Sequence, residues 1–246
     1  MTKISLNQAP FNETLRLVEI DNPGLALQFQ HMGLYKKDLL TRLDEEILVM
    51  PIKVKGPKGE RVLGRGMATK VVVHLADGRK IPLAEVKPGE FGHIEGIVGG
   101  TCLADALATL GLENNTEISL VRSIPPMEYT ALVRLNGPGT ERVYISEGAA
   151  AKIWGTMRNS NLQFSAAARG ESFQVKKILG GEKAHKTVSM YGNIAPGTVM
   201  KLEGVKSAET FSVNRQIDPV IIITHGGLRL MLEKSTCGSI WVETAV

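Results

Sequence analysis

The feature that most constrains the fold is a pattern of glycines and apolar residues that occurs three times along the chain. In its central copy the pattern consists of Leu83, Val86, Gly89, Glu90, Ile94, Ile97, Gly99 and Gly100. A step of 81 residues forward reaches matching residues, which are Phe164, Ala167, Gly170, Glu171, Val175, Ile178, Gly180 and Gly181. Because the glycines of the two segments align, the chain is predicted to contain repeated copies of one structural unit.

The first copy keeps the apolar positions and replaces one glycine. A step of 77 residues backward from the central copy reaches Leu6, Ala9, Asn12, Glu13, Leu17 and Ile20. Asn12 stands where the other two copies have Gly89 and Gly170, and asparagine is the non-glycine residue that best tolerates a left-handed backbone. We therefore expect a left-handed turn at this position in every copy.

The repeat also sets the predicted domain boundaries. Residues 66–72 match residues 148–154 and, more loosely, residues 236–242, so the pattern extends to the end of each copy. Each copy has roughly 80 residues, which is near the small end of what folds alone. The predicted units are residues 1–78, 79–159 and 160–246.

Each unit is predicted to combine short strands with one or two short helices. Residues 94–98 have the composition of a strand. Leu103, Leu107 and Leu110, spaced i, i+4 and i+7, form one face of a short helix that ends at Gly111. About five short strands and one or two helices in so small a unit indicate a closed or nearly closed β-barrel.

Composition and cysteine usage narrow the class of protein further. Of the 246 residues 43% are hydrophobic and 22% charged, and the formal net charge is +4, as in an ordinary folded protein. Cys102 and Cys237 lie in apolar stretches and are predicted to be buried free thiols, since two cysteines make no disulfide framework. The amino terminus lacks an apolar run of signal-peptide length, so a cytoplasmic location is expected.

Several short motifs point to one known family. They are residues 86–90 and 110–112 in the second unit, the turn at residues 195–198 in the third, and residues 63–68 in the first. Together with the opening strand, the Gly-Gly turn and the helix, these motifs resemble the FeoA domain, the family of ferrous iron transport protein A. The resemblance covers nearly the whole chain as three tandem copies.

The resemblance implies both a fold and a role. FeoA-type domains fold as SH3-like β-barrels, so the chain is expected to be mainly β with short helices, arranged as three tandem small SH3-like β-barrels. The family implies a non-enzymatic accessory protein that docks on a FeoB-type membrane transporter of ferrous iron. Three linked copies suggest that individually weak contacts add at one partner.

The sequence contains no motif that is typical of an enzyme active site or of a cofactor-binding site. The chain has no phosphate-binding glycine loop followed by Lys-Ser/Thr, and no Ser or Cys adjoins a recognised His and carboxylate pair. We therefore predict no catalytic residues and no cofactor.

The histidines raise the question of a metal. His93 and Glu95 share one face of a strand, but they supply only two of the groups that a divalent ion needs, so no metal site is predicted. A divalent-metal-binding sensor or carrier built from the same barrels remains the alternative function.

The most basic local region is a predicted hairpin in the first unit. We expect it to bind an acidic protein partner, and its residues are Lys53, Lys55, Lys58, Arg61 and Arg65. A basic array of barrels that binds nucleic acid is a further rival, but aromatic residues for stacking on bases are scarce. Neither nucleic-acid binding nor insertion into a membrane is expected.

Overall fold

The structure is a computed structural model that describes residues 3–134, 139–208 and 218–245. It is mainly β with short helices, and three six-stranded sheets form three small SH3-like β-barrels. The strand order is the same in all three sheets. Within the described ranges no helix has the length and apolar character needed to cross a membrane.

The elements follow one another in the order that the repeat predicts. Residues 3–43 form β1 (Ile4–Ser5), β2 (Thr14–Ile20), α1 (Pro23–His31) and β3 (Leu39–Leu43). Residues 52–123 form β4 (Ile52–Gly56), β5 (Gly59–Leu63), α2 (Arg65–Ala68), β6 (Val71–Leu75), β7 (Lys80–Pro82), a 3-10 turn (Leu83–Glu85), β8 (Phe91–Ile97), α3 (Thr101–Leu110) and β9 (Glu117–Ser123).

The remaining elements repeat the same succession. Residues 127–207 form β10 (Met127–Arg134), β11 (Thr140–Ser146), α4 (Glu147–Ala150), β12 (Ile153–Met157), β13 (Ser160–Gln163), a 3-10 turn (Phe164–Ala166), β14 (Ser172–Ile178), α5 (Glu182–Ser189) and β15 (Val199–Ser207). Residues 218–245 form β16 (Val220–Thr224), β17 (Arg229–Leu232), α6 (Lys234–Cys237) and β18 (Ile240–Thr244).

The sheets divide the chain differently from the predicted units. Barrel 2 comprises residues 52–123, and barrel 3 comprises the described part of residues 127–207. Barrel 1 joins both ends of the chain, because β1 and β2 pair with β18, and β3 pairs with β16. Each barrel thus combines the second half of one repeat with the first half of the next.

The predicted boundaries at residues 78 and 159 therefore need correction. Both residues lie in hairpin turns inside a sheet, between β6 and β7 in barrel 2 and between β12 and β13 in barrel 3. The sheets change instead at the junctions 44–51, 124–126 and 208–219, and a proline comes directly before the next strand in each. Proline fixes φ and lacks a backbone donor, so it suits the first position of a strand better than its interior.

The local predictions about turns and helices are confirmed. Asn12, Gly89 and Gly170 have φ values of 58°, 87° and 78°, so the left-handed turn occurs in all three copies. Helix α3 spans Thr101–Leu110 and ends at Gly111, whose φ of 78° forms the left-handed cap. The turns and the helix cap depend on backbone sterics at single residues, so the local sequence is enough to predict them.

Each barrel encloses its own apolar core, and side chains cross the junctions between them. The core of barrel 1 includes Val72 and Val98 from barrel 2. The core of barrel 2 includes Leu179 from barrel 3, with Trp154 packed against it. The three barrels therefore pack against one another, because the burial of these side chains depends on the neighbouring barrel.

The two cysteines differ in their surroundings. Cys237 in α6 is buried, and desolvation raises the pKa of its thiol to about 12, so it remains protonated at neutral pH. Cys102 is exposed, which contradicts the prediction that it is buried. It is the second residue of α3, and the apolar face of that helix begins only at Leu103.

Candidate functional site

Three of the five predicted partner-binding residues make contacts within the molecule. The Lys53 ammonium lies 3.0 Å from a Glu60 carboxylate oxygen across the β4–β5 hairpin. Arg61 donates to the Glu60 carbonyl at 2.8 Å, and its guanidinium stacks over Trp154 of barrel 3, 5.7 Å from the ring centroid. Lys58 lies against Gly111, where its side chain occupies the space of a Cβ.

These contacts give Arg61 a structural role, whereas Lys58 packs its methylene groups near Gly111 and remains exposed. Burial lowers the pKa of Arg61, which is consistent with a guanidinium held at the junction between barrels 2 and 3. Lys55 is exposed on the same face of β4 as Lys53, and Arg65 is half-buried at the start of α2. Of the predicted set, Lys55, Lys58 and Arg65 form no ion pair with the described residues.

An open groove runs along barrel 2 beside Lys55. Its walls come from β4, β6, β8 and β9, and it includes the 63% exposed side chain of Phe91. His74, His93 and Glu117 place titratable groups along it. The groove therefore combines an apolar ring, a cation and two imidazoles at one surface.

A cluster of two histidines and one glutamate lies at the edge of this groove. His74 on β6 and His93 on β8 are directly opposite one another in the antiparallel register. The Glu95 Oε2 atom lies 3.3 Å from His93 Nε2 and 3.5 Å from His74 Nδ1. The two imidazole rings meet edge to face with their centroids 5.0 Å apart. Within the described residues, no other group of three His, Cys, Asp or Glu side chains is close enough to hold one ion.

Glu95 lies at a β-bulge of the same strand pair. The register of β6 against β8 shifts between Val72 and Val73, so that Val72 faces Gly96 while Val73 faces Ile94. Glu95 is the extra residue of the bulge and has no partner of its own on β6. The expected pairing of His93 with Glu95 on one face is therefore confirmed by their contact.

Lys80 fixes the other oxygen of the same carboxylate. Its ammonium lies 2.5 Å from Glu95 Oε1, while Oε2 faces the two imidazoles. Burial opposes ionisation of Glu95, whose side chain is 14% exposed, but Lys80, His74 and His93 more than offset this and lower the pKa of the carboxyl. Glu95 is therefore an oriented carboxylate at neutral pH.

His74 is the member of the cluster that sequence reasoning missed. It lies 19 positions before His93, and nothing in their spacing connects them. The signal that could have found it is the strand pairing itself, since β6 and β8 are neighbours in the sheet. The predicted boundary at residue 78 separated the two strands and hid this relation.

The equivalent positions of the other barrels hold different residues. The pair that corresponds to His74 and His93 is Thr156 and Gln174 in barrel 3, and Glu243 and Arg16 in barrel 1. Arg16 and Glu243 form an ion pair at 3.3 Å. The same cross-strand position therefore holds a different polar pair in each barrel, and only barrel 2 has two histidines there.

The comparison with protein families gives one match. Residues 81–157 match the model of the FeoA domain. A FeoA domain suggests involvement in ferrous iron transport and is associated with transport rather than with a known enzyme activity. No curated protein and no solved structure matches the chain.

The matched region does not coincide with a barrel. Its first half, through β8, α3 and β9, belongs to barrel 2, and its second half, from β10 to β12, belongs to barrel 3. One family-length unit thus contributes halves to two neighbouring sheets. His93 and Glu95 lie inside the match and His74 lies just outside it, so the triad forms across the border of the matched unit.

Proposed function

We propose that the chain is a non-enzymatic accessory protein of ferrous iron transport that docks on a FeoB-type transporter in the cytoplasm. The observation that carries this proposal is the FeoA match at residues 81–157. The same strand order in all three sheets supports an array of three related surfaces. That the other two repeats are also FeoA domains is part of the proposal.

A linked array suits multivalent docking. Once one barrel binds, the others are held at a high effective concentration near the partner, so weak contacts add if the geometry allows them to engage together. The contacts between barrels favour a fixed spacing. Gln28 of barrel 1 bonds the backbone of Gly99 in barrel 2, and Gln163 of barrel 3 bonds both backbone groups of Val62.

Lys55 and Arg65 are the proposed electrostatic contacts. Lys55 is exposed beside the groove of barrel 2, and Arg65 stands half-buried at the start of a short helix. Charges at the rim of an interface act mainly on the association rate and on salt dependence. The partner surface is accordingly expected to be acidic.

The test is an affinity capture from native membranes with the full chain as bait, with and without guanine nucleotide. The transporter is expected in the eluate, and the double variant Lys55→Glu/Arg65→Glu should reduce its recovery at least fivefold. The matched control, Lys36→Glu/Lys186→Glu, makes the same charge change on exposed residues of barrels 1 and 3. An eluate without transporter would refute the docking proposal, and equal losses in both double variants would refute the role of the basic pair.

A second candidate function is a divalent-metal-binding sensor or carrier. The cluster of His74, His93 and Glu95 favours it, because it supplies three convergent ligand atoms instead of the two expected from sequence. This candidate does not depend on docking, and the two roles are compatible in one chain.

A further inference from the structure

We propose that His74, His93 and Glu95 bind one divalent first-row transition metal ion. This inference gives the second candidate function a defined site, and it stands apart from docking. The three ligand atoms lie within 4.8 Å of one another. Around a zinc ion with metal–ligand distances near 2.0–2.2 Å, tetrahedral ligand atoms are about 3.4 Å apart. The Glu95 oxygen is already 3.3 Å and 3.5 Å from the two imidazole nitrogens, so the remaining adjustment is a rotation that brings those two nitrogens, which lie within 4.8 Å of each other, to the same spacing.

The backbone holds these three side chains in place. His74 and His93 are a cross-strand pair, and Glu95 belongs to the bulge of the same strand pair. At Gly92 the strands approach so closely that an added Cβ would lie 2.1 Å from the His74 carbonyl oxygen. Ligands on packed strands are better preorganised than ligands on loops, and less entropy is lost when the ion binds.

The donor set selects the class of ion. Two imidazoles and one carboxylate are the 2-His-1-carboxylate set that suits Fe²⁺, Co²⁺, Ni²⁺ and Zn²⁺. Mg²⁺ and Ca²⁺ prefer oxygen ligands and full oxygen shells, which this cluster does not supply. We therefore expect transition ions to bind and Mg²⁺ to bind far more weakly.

Lys80 has two opposing effects on the site. Its contact with Oε1 at 2.5 Å directs Oε2 toward the imidazoles, as an outer-shell partner of a ligating carboxylate does. Its positive charge repels a cation. The side chains of His74 and His93 are 34% and 41% exposed, so water can complete the coordination shell. These features predict a reversible site of moderate affinity rather than a closed structural site.

The simpler reading of the same geometry is a pair of histidines in contact with a carboxylate and no ion. Barrel 3 supplies the substitutions that distinguish the two interpretations, because it has the same sheet with Thr156 and Gln174 at the histidine positions. The substitutions His74→Thr and His93→Gln copy residues that this fold already accommodates. Both variants are therefore expected to fold.

The experiment is a titration of the purified, chelator-treated full chain with Zn²⁺ and Co²⁺, and with Fe²⁺ under anaerobic conditions. Calorimetry gives stoichiometry and affinity, and the visible bands of Co²⁺ report nitrogen coordination. We expect one ion per chain, at least tenfold weaker binding in His74→Thr, His93→Gln and Glu95→Gln, and at least 100-fold weaker binding in the double histidine variant. The control His225→Asn removes an exposed histidine outside the cluster and should leave binding unchanged.

Four outcomes would overturn the proposal. They are no binding by the unmodified chain, unaltered binding in the double histidine variant, an equal response to Mg²⁺, and loss of binding in His225→Asn. Circular dichroism of each variant verifies that the fold is retained. The titration uses purified protein without membranes, so a failure to bind metal would not bear on docking. A failed capture would likewise not bear on the metal site.

Discussion

Barrels 2 and 3 share one sheet topology and differ at the cross-strand position that the fold leaves open to solvent. Barrel 2 has His74 opposite His93 with Glu95 on the bulge, whereas barrel 3 has Thr156 opposite Gln174. The residue that corresponds to Glu95 in barrel 3 is Lys176, which bonds Gln174 at 2.9 Å. Barrel 2 therefore has a convergent set of potential ligands, and barrel 3 has a cation at the same place.

The sheet of each barrel and the polar chemistry on its surface are specified by different residues. Core positions such as Ile94 and Val175 are apolar in both barrels and set the register. The neighbouring cross-strand positions lie outside the apolar core and hold different polar residues in the two barrels. Metal binding, unlike docking by the whole array, is therefore expected in barrel 2 alone.

The largest effect is expected from moving the triad into barrel 3. The variant Thr156→His/Gln174→His/Lys176→Glu copies the three ligands onto the equivalent strands, β12 and β14. If backbone geometry is sufficient, stoichiometry should rise from one ion to two, with the second affinity within about tenfold of the first, or about 1.4 kcal/mol. Calorimetric titration with Zn²⁺ measures both. A well-folded variant that still binds one ion would mean that the site depends on features unique to barrel 2.

The next effect concerns the close approach of β6 and β8. Gly92→Ala is expected to cost about 3 kcal/mol, because the new Cβ would meet the His74 carbonyl oxygen and the Leu75 backbone. In barrel 3 the equivalent residue is Phe173, and Gly155 on the facing strand provides the space instead. Chemical denaturation of the full chain measures the loss. Gly66→Ala is the control, since a Cβ there meets nothing within 4 Å.

A smaller effect is expected at the junction of barrels 1 and 2. Arg229 forms a bidentate ion pair with Glu85 at 2.7–2.9 Å, with both side chains less than one-fifth exposed. The equivalent residues between barrels 2 and 3 are Glu60 and Ala166, which form no such pair. Arg229→Met should cost about 2 kcal/mol by leaving Glu85 without its partner.

The control for that junction is Lys53→Met. It removes the more exposed Lys53–Glu60 pair within barrel 2, for which about 0.5 kcal/mol is expected. Equal losses in the two variants, measured by urea denaturation, would contradict the view that this junction depends on a buried charge pair.

The smallest effect is a gain in stability at Glu147, the first residue of α4 in barrel 3. Burial raises the pKa of this carboxyl, although Tyr129, Lys53 and Arg122 oppose the shift. The folded chain then holds a proton that the unfolded chain releases, so stability falls as pH rises from the ordinary carboxyl pKa through the raised one. Glu147→Gln should remove this fall and add about 1 kcal/mol at pH 8.

Thermal unfolding between pH 4 and 8 checks this prediction. The exposed Glu113 provides the control Glu113→Gln, which should alter neither stability nor its pH dependence appreciably. A lower stability of Glu147→Gln at pH 8 would show that the carboxylate is stabilised by its basic neighbours. Barrel 2 has Arg65 at the equivalent position, so the effect should be absent there.

Much of the fold was predictable because it depends on short-range signals. The helix from Thr101 to Leu110, its cap at Gly111 and the left-handed turn at Asn12 all follow from local sterics and apolar spacing. The candidate site was only half predictable. His93 and Glu95 lie two residues apart, so strand alternation relates them, but the contact of His74 with Glu95 requires the register of a distant strand.

The sequence by itself determined the repeat, the β-rich barrel class and the likeness to the FeoA domain. Only the tertiary structure decided where one barrel ends and the next begins. A repeating pattern defines a period but not the point at which a sheet closes, because halves of adjacent repeats can pair as well as halves of the same one. Long-range pairing between both chain ends completes barrel 1, and the same exchange of halves brings His74 to His93.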